Sequence, residues 1–96
     1  MNSVLLTADG AGSKRLVVMS REEAAEAIGV ELSDLTYLPF GEHAVLYMSR
    51  SAQRERDRAP NHSASLVAKR VAGLSVSLRG DVLSFPRGEP WRRLAR

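Results

Sequence analysis

Two short segments with helix-start chemistry, each closed by a glycine, divide this 96-residue chain and limit what it can become. The first opens on Ser20-Arg21-Glu22-Glu23. This is a capping box: the serine hydroxyl accepts from the third helical amide, and Glu23 reaches back to the cap amide. Glu22 and Glu23 also sit where the helix dipole favours negative charge. Gly29 is the stop, and Ala24, Ala27 and Ile28 share a face. The second segment opens on Pro60-Asn61-His62-Ser63, where Asn61 or Ser63 can cap, and ends at Gly73. Val67, Val71 and Leu74 recur at i, i+4 and i+7 as one apolar stripe, widened by Ala64 and Ala68. Lys69 and Arg70 suit the C-terminal end of its dipole. Helices this short persist only when packed on another layer.

The rest of the chain reads as short strands. Ser3–Thr7 and Lys14–Met19 flank the turn cluster Asp9-Gly10-Ala11-Gly12-Ser13 and form a hairpin. The two glycines are not a phosphate loop, since neither GxGxxG nor GK[ST] follows. Leu35–Phe40, with Pro39, reads as an edge strand, because proline cannot donate to a central ladder. It pairs across Gly41-Glu42 with His43–Met48, the strongest strand pattern in the chain. Arg50–Pro60 alternates charge without apolar periodicity and reads as an exposed, Arg-rich loop. Ser75–Arg79 alternates as a half-buried strand should, Gly80-Asp81 marks a turn or bulge, and Val82–Phe85 continues or returns. The order β-β-α-β-β-α-β(β) predicts a single α+β domain over residues 1–85. Its antiparallel or mixed sheet of two hairpins and closing strands carries both helices on one face. Residues 86–96 read as a basic tail. The expected core includes Val4, Leu6, Val17, Ile28, Val45, Tyr47, Val67, Val71, Val76 and Leu78.

Composition narrows the chemistry. Aromatic residues make up 5% of the chain, so the core rests on aliphatic side chains, and a homo-oligomer in which His43–Met48 or Val82–Phe85 pairs across a two-fold axis is expected to add burial. The absence of cysteine rules out disulfides, thiolate metal sites and a cysteine nucleophile, and fits a reducing compartment. No apolar run approaches a membrane span, and Met1–Leu6 lacks the basic flank of a signal peptide. The expectation is a cytoplasmic protein, in the host cytoplasm if phage-encoded, with no membrane partner. Charge is uneven: residues 1–48 carry three basic and seven acidic groups, whereas residues 49–96 carry eleven basic and four acidic. All but one of those eleven are arginine, whose planar fork suits phosphate and carboxylate.

No catalytic constellation is visible. His43 and His62 form no HxH, HExxH or HxE spacing, and no nucleophile elbow is present. The expectation is a non-enzyme with no cofactor and no metal. Arg79-Gly80-Asp81 spells an integrin-recognition tripeptide, but Gly80 and Asp81 are explained as turn residues. The most suggestive constellation is an anion site. The helix start at Asn61, His62 and Ser63 follows a loop bearing Arg54, Arg56 and Arg58, so backbone N–H groups and guanidinium forks can converge on a nucleotide-like ligand. Arg87, Trp91, Arg92 and Arg93 in the tail offer phosphate contact and stacking, the basis of an alternative reading as a nucleic-acid-binding accessory protein.

Residues 30–85 also carry a resemblance. The matching residues are Pro60-Asn61, Ala64 and Leu78-Arg79-Gly80-Asp81-Val82-Leu83, with Leu35–Met48 ahead of them. They resemble a family of small phage- and plasmid-borne proteins, a domain of unknown function that pairs an Asn-led helix with an Arg-Gly-Asp-Val-Leu closing strand. The Arg-rich loop and the Trp-bearing tail depart from that pattern. The resemblance implies a mobile-element accessory protein and brings no catalytic residues. It leads to an expected role in interfering with host defence or physiology, by binding a host protein or an anionic small molecule.

Overall fold

Consecutive apolar positions, Leu46-Tyr47-Met48 and Val82-Leu83, oblige the strands that carry them to bury both faces. The computed structural model describes residues 2–9, 13–40 and 44–85 and meets that demand. Its elements run β1 (Asn2–Leu6), β2 (Ser13–Val17), α1 (Arg21–Ile28), β3 (Leu35–Phe40), β4 (Ala44–Ser49), α2 (Arg50–Arg54), α3 (His62–Ala72) and β5 (Val82–Ser84). A 3-10 turn, Leu32–Asp34, leads into β3. The strands form one sheet in the order β2-β1-β5-β4-β3, with every neighbouring pair antiparallel. The α+β class is therefore established. Both hairpins form, Leu6 pairing with Ser13 and Phe40 with Ala44. The proline-bearing strand lies at a sheet edge, where Pro39 interrupts no central ladder.

The helices do not share a face. Ala24, Ala25 and Ile28 of α1 pack with Leu35, Tyr47, Leu83 and Phe85. Ala64 and Ala68 of α3 pack with Leu6, Leu46, Met48 and Val82 on the opposite side. Alternation along β4 and β5 sends neighbouring side chains to opposite faces, so a second helix is required where a one-faced sheet would meet solvent. This corrects the expectation of two helices on one face. Val17 is also corrected: it is 69% exposed, because it alternates with Leu16 toward the α3 face at the β2 edge, and no described α3 side chain clusters with it. Val4 and Val67 are partly buried, and Leu6, Ile28, Tyr47 and Leu78 are buried. The Val45 and Val71 side chains lie outside what is described.

Both helix caps form. The Ser20 hydroxyl accepts from Glu23 N at 3.1 Å, while the Glu23 carboxylate accepts from Met19 N, one residue before the cap. Gly29 and Gly73 close α1 and α3 in left-handed geometry, φ 83° and 68°. Two segments differ from expectation. Residues 50–60 are not a loop throughout, because α2 fills the first half, anchored by buried Ala52. A single alanine leaves no periodicity to read. Residues 75–79 are not a strand: only Arg79 forms a bridge, to Pro60, and Val76 is 39% exposed. β4 and β5 are interior strands with both neighbours in place, so neither offers an edge to a second copy and the chain returning from α3 finds no position beside β5.

Candidate functional site

Of the residues predicted to form an anion site, Arg54, Arg56, Arg58, His62 and Ser63 are all exposed. Arg58 pairs with Glu55 at 3.1 Å. Asn61 is 1% exposed and fully engaged. Its Oδ1 accepts from Ala64 N at 3.1 Å, and its Nδ2 donates to the carbonyls of Leu6 and Gly80, both at 2.9 Å. Asn61 therefore leaves the ligand set: it is a buried tie between α3, β1 and the approach to β5. Arg87, Trp91, Arg92 and Arg93 lie outside the described residues, as does His43.

The Leu78–Asp81 segment is held on several sides. Gln53 clamps Arg79, its Nε2 donating to the Arg79 carbonyl at 2.6 Å and its Oε1 accepting from Arg79 N at 2.8 Å. Gln53 thus supplies both halves of a strand pairing through a side chain. Asn61 N donates to the Leu78 carbonyl at 2.7 Å, and Leu78 N donates to Ser65 Oγ at 3.0 Å. Gly80 adopts φ 77°, and an added Cβ would lie 3.3 Å from that of Ala52. The Asp81 carboxylate accepts from Ala8 N at 2.9 Å. The Arg-Gly-Asp tripeptide is thereby bound into the fold rather than displayed as a recognition loop.

A polar cleft of about 480 Å³ lies between the end of α1 and this segment. Glu31, Asp34, Ser49, Ser51, Arg58 and Asp81 are among its lining. Asp34 organises one wall. It accepts from Ser49 Oγ at 2.5 Å, from Ser51 Oγ at 2.8 Å and from Ser51 N at 2.9 Å. These bonds, with the Ser49 hydroxyl contributing most, hold its carboxyl below the ordinary aspartate range. A carboxylate made less basic by three donors is a poor general base for either serine. It buttresses the start of α2, where the N-cap Ser49 hydroxyl accepts from Ala52 N at 3.1 Å. Among the described residues, no group of three His, Cys, Asp or Glu side chains is arranged to hold a metal ion.

The second concavity is apolar and open. It measures about 550 Å³ and runs between α3 and residues 74–77, lined by His62, Ser65, Leu66, Lys69 and residues 74–77. Leu66, Leu74 and Val76 stand 49%, 40% and 39% exposed along it. Lys69 and His62 also line it, and among the described residues no carboxylate does. Leu74 and Val76 read from sequence as buried, and Leu66 carried no assignment at all. The available signal was that Leu66 falls off the Val67–Val71 stripe, so its large aliphatic side chain has no core to enter. No helix among the described residues is long and apolar enough to cross a membrane. No protein family, curated protein or solved structure matches the chain.

Proposed function

We propose that the protein is a non-enzymatic binding protein that engages another protein through the face formed by α3 and residues 74–77. The observation that carries this reading is the convergence of Leu66, Leu74 and Val76, three large aliphatic side chains, on one open groove. Contiguous exposed apolar surface with a polar rim is a feature of association sites rather than of solvated surface. The polar groups elsewhere, Asn61, Gln53, Asp34 and Asp81, are engaged in holding the fold. The resemblance of residues 30–85 to mobile-element proteins supports a host protein as the partner. An anionic small molecule is less favoured, because the buried Asn61 is committed and Arg58 is paired.

The test compares material retained from a host lysate by the wild-type chain, by Leu66→Glu and by an Arg54→Ala, Arg56→Ala double variant. The expected result is a protein partner that withstands nuclease, is kept by the double arginine variant and is lost by Leu66→Glu. Retention of nucleic acid that weakens steeply with salt would replace this reading with the nucleic-acid one.

A further inference from the structure

We propose that residues 75–77 act as a strand awaiting a partner, and that the groove beside them takes an extended, acidic–apolar segment of another protein as the missing neighbour. This rests on the binding face described above and names its ligand class. Ser75-Val76-Ser77-Leu78 has the alternation of a strand, yet Ser75, Val76 and Ser77 make no hydrogen bond to any described residue. The segment is nonetheless pinned at both ends. Leu74 N donates to the Ala68 carbonyl at 3.4 Å, and the Leu78 amide and carbonyl are both bonded. A short run of free backbone donors and acceptors between fixed ends is already positioned for pairing, so an incoming chain has less freedom to remove. Exposed strand edges are recognised in this way, with main-chain bonds giving affinity and side-chain pockets giving specificity.

The groove supplies those pockets and selects the occupant. Its aliphatic floor of Leu66, Leu74 and Val76 accepts apolar side chains at alternate positions of an extended peptide. Lys69 and His62 border it, and among the described residues no acidic side chain lines it, so carboxylates between or beside those apolar positions are favoured. Nucleic acid fits less well, because among the described residues no aromatic ring or arginine lines the groove to stack a base. A second copy of this chain also fits less well along its free β2 edge, which carries exposed Lys14 and Arg15 and no carboxylate to meet Lys69 and His62.

The experiment selects peptides from a displayed random library on the full chain and maps the bound peptides by amide hydrogen exchange. Enriched peptides are expected to alternate apolar residues with Asp or Glu and to protect the amides of residues 75–77. N-methylating the peptide's paired edge should weaken binding about tenfold, consistent with loss of one or two backbone bonds. Leu66→Glu should weaken it at least ~tenfold, and Lys69→Glu about threefold to fivefold while shifting selection toward basic peptides. Each variant is checked for a wild-type melting temperature, which the exposure of these side chains leads us to expect. No enriched peptide, no protection at 75–77, indifference to acid content or unchanged binding to Leu66→Glu would each overturn the proposal. A dimer dissolved by Leu66→Glu would instead assign the groove to a second copy and overturn it. If lysate protein is still lost with Leu66→Glu while no peptide protects 75–77, the binding face stands and strand pairing alone falls.

Discussion

The side-chain amide of Asn61 accepts from one backbone group and donates to two, and this separates two substitutions that an ordinary helix cap would treat alike. Asp and Asn are near-equal caps in general. Here Asn61→Asp keeps the acceptor for Ala64 N but places carboxylate oxygen against the carbonyls of Leu6 and Gly80. Denaturant unfolding at neutral pH should show Asn61→Asp at least as damaging as Asn61→Ala, for which we expect a loss of about 2–4 kcal/mol. A near-wild-type Asp variant would show that the two donated bonds do not matter. Tyr47 makes the opposite case. Its ring packs on Tyr37 and Phe85, with centroids 5.6 and 5.7 Å away, while its buried hydroxyl has no hydrogen-bond partner among the described residues. Burial accordingly raises its pKa. Tyr47→Phe keeps the rings and removes an unsatisfied group, so stability should hold or rise by about 1 kcal/mol. A clear loss would reveal a partner for that oxygen.

At the scale of elements, local chemistry was legible and borrowed chemistry was not. Ser20, Gly29, Asn61 and Gly73 mark helix ends through bonds to their own neighbours, so the limits of α1 and α3 can be read from residues in sequence order. The start of α2 combines a local cap, the Ser49 hydroxyl accepting from Ala52 N, with a bond from Ser51 N to Asp34, 17 residues earlier, which a sequence window cannot see. The consequence is a pH dependence. A carboxyl held below its ordinary value contributes stability that is present above that value and is lost as pH falls through the folded one. The wild-type melting temperature should therefore drop more steeply than that of Asp34→Asn on acidification from about pH 5 to about pH 2.5. Parallel curves would show that Asp34 is not linked to folding. Residues 75–77 make the complementary point. Their alternation was readable, but whether a pattern becomes a strand depends on a free neighbour, and β5 has none to give.

At the scale of the whole molecule, Leu83 is the point where the two halves meet. It is fully buried, pairs with Leu5 on one side and Tyr47 on the other, and packs under α1. Leu83→Asp places an unpaired charge there and should abolish the cooperative melt, since such burial costs several kcal/mol. Val17→Asp, at a position 69% exposed, should stay within about 0.5 kcal/mol of wild type. Circular dichroism melts of both variants decide the point. The consecutive apolar residues of β4 and β5 already implied a sheet covered on both sides. Reading each strand as half-solvated hid that implication, and with it the reason Leu66 has no core to join. The groove was illegible for a further reason: it exists only because α3 and its return segment lie side by side, a tertiary fact.

The central place of β5 also bears on how the protein is made. Val82–Ser84 joins two hairpins that have no direct pairing with each other, and Asp81 ties back to Ala8 across 73 residues. While the chain is being synthesised, both hairpins leave the ribosome before the strand that unites them. Each then carries an open inner edge, β1 in one and β4 in the other, with the side chains of Leu46, Tyr47 and Met48 uncovered. Such intermediates are suited to capture by chaperones and to mispairing with neighbouring nascent chains. Assembly is therefore a late event, and a ribosome stalled before Val82 holds two half-sheets that have nothing to close them.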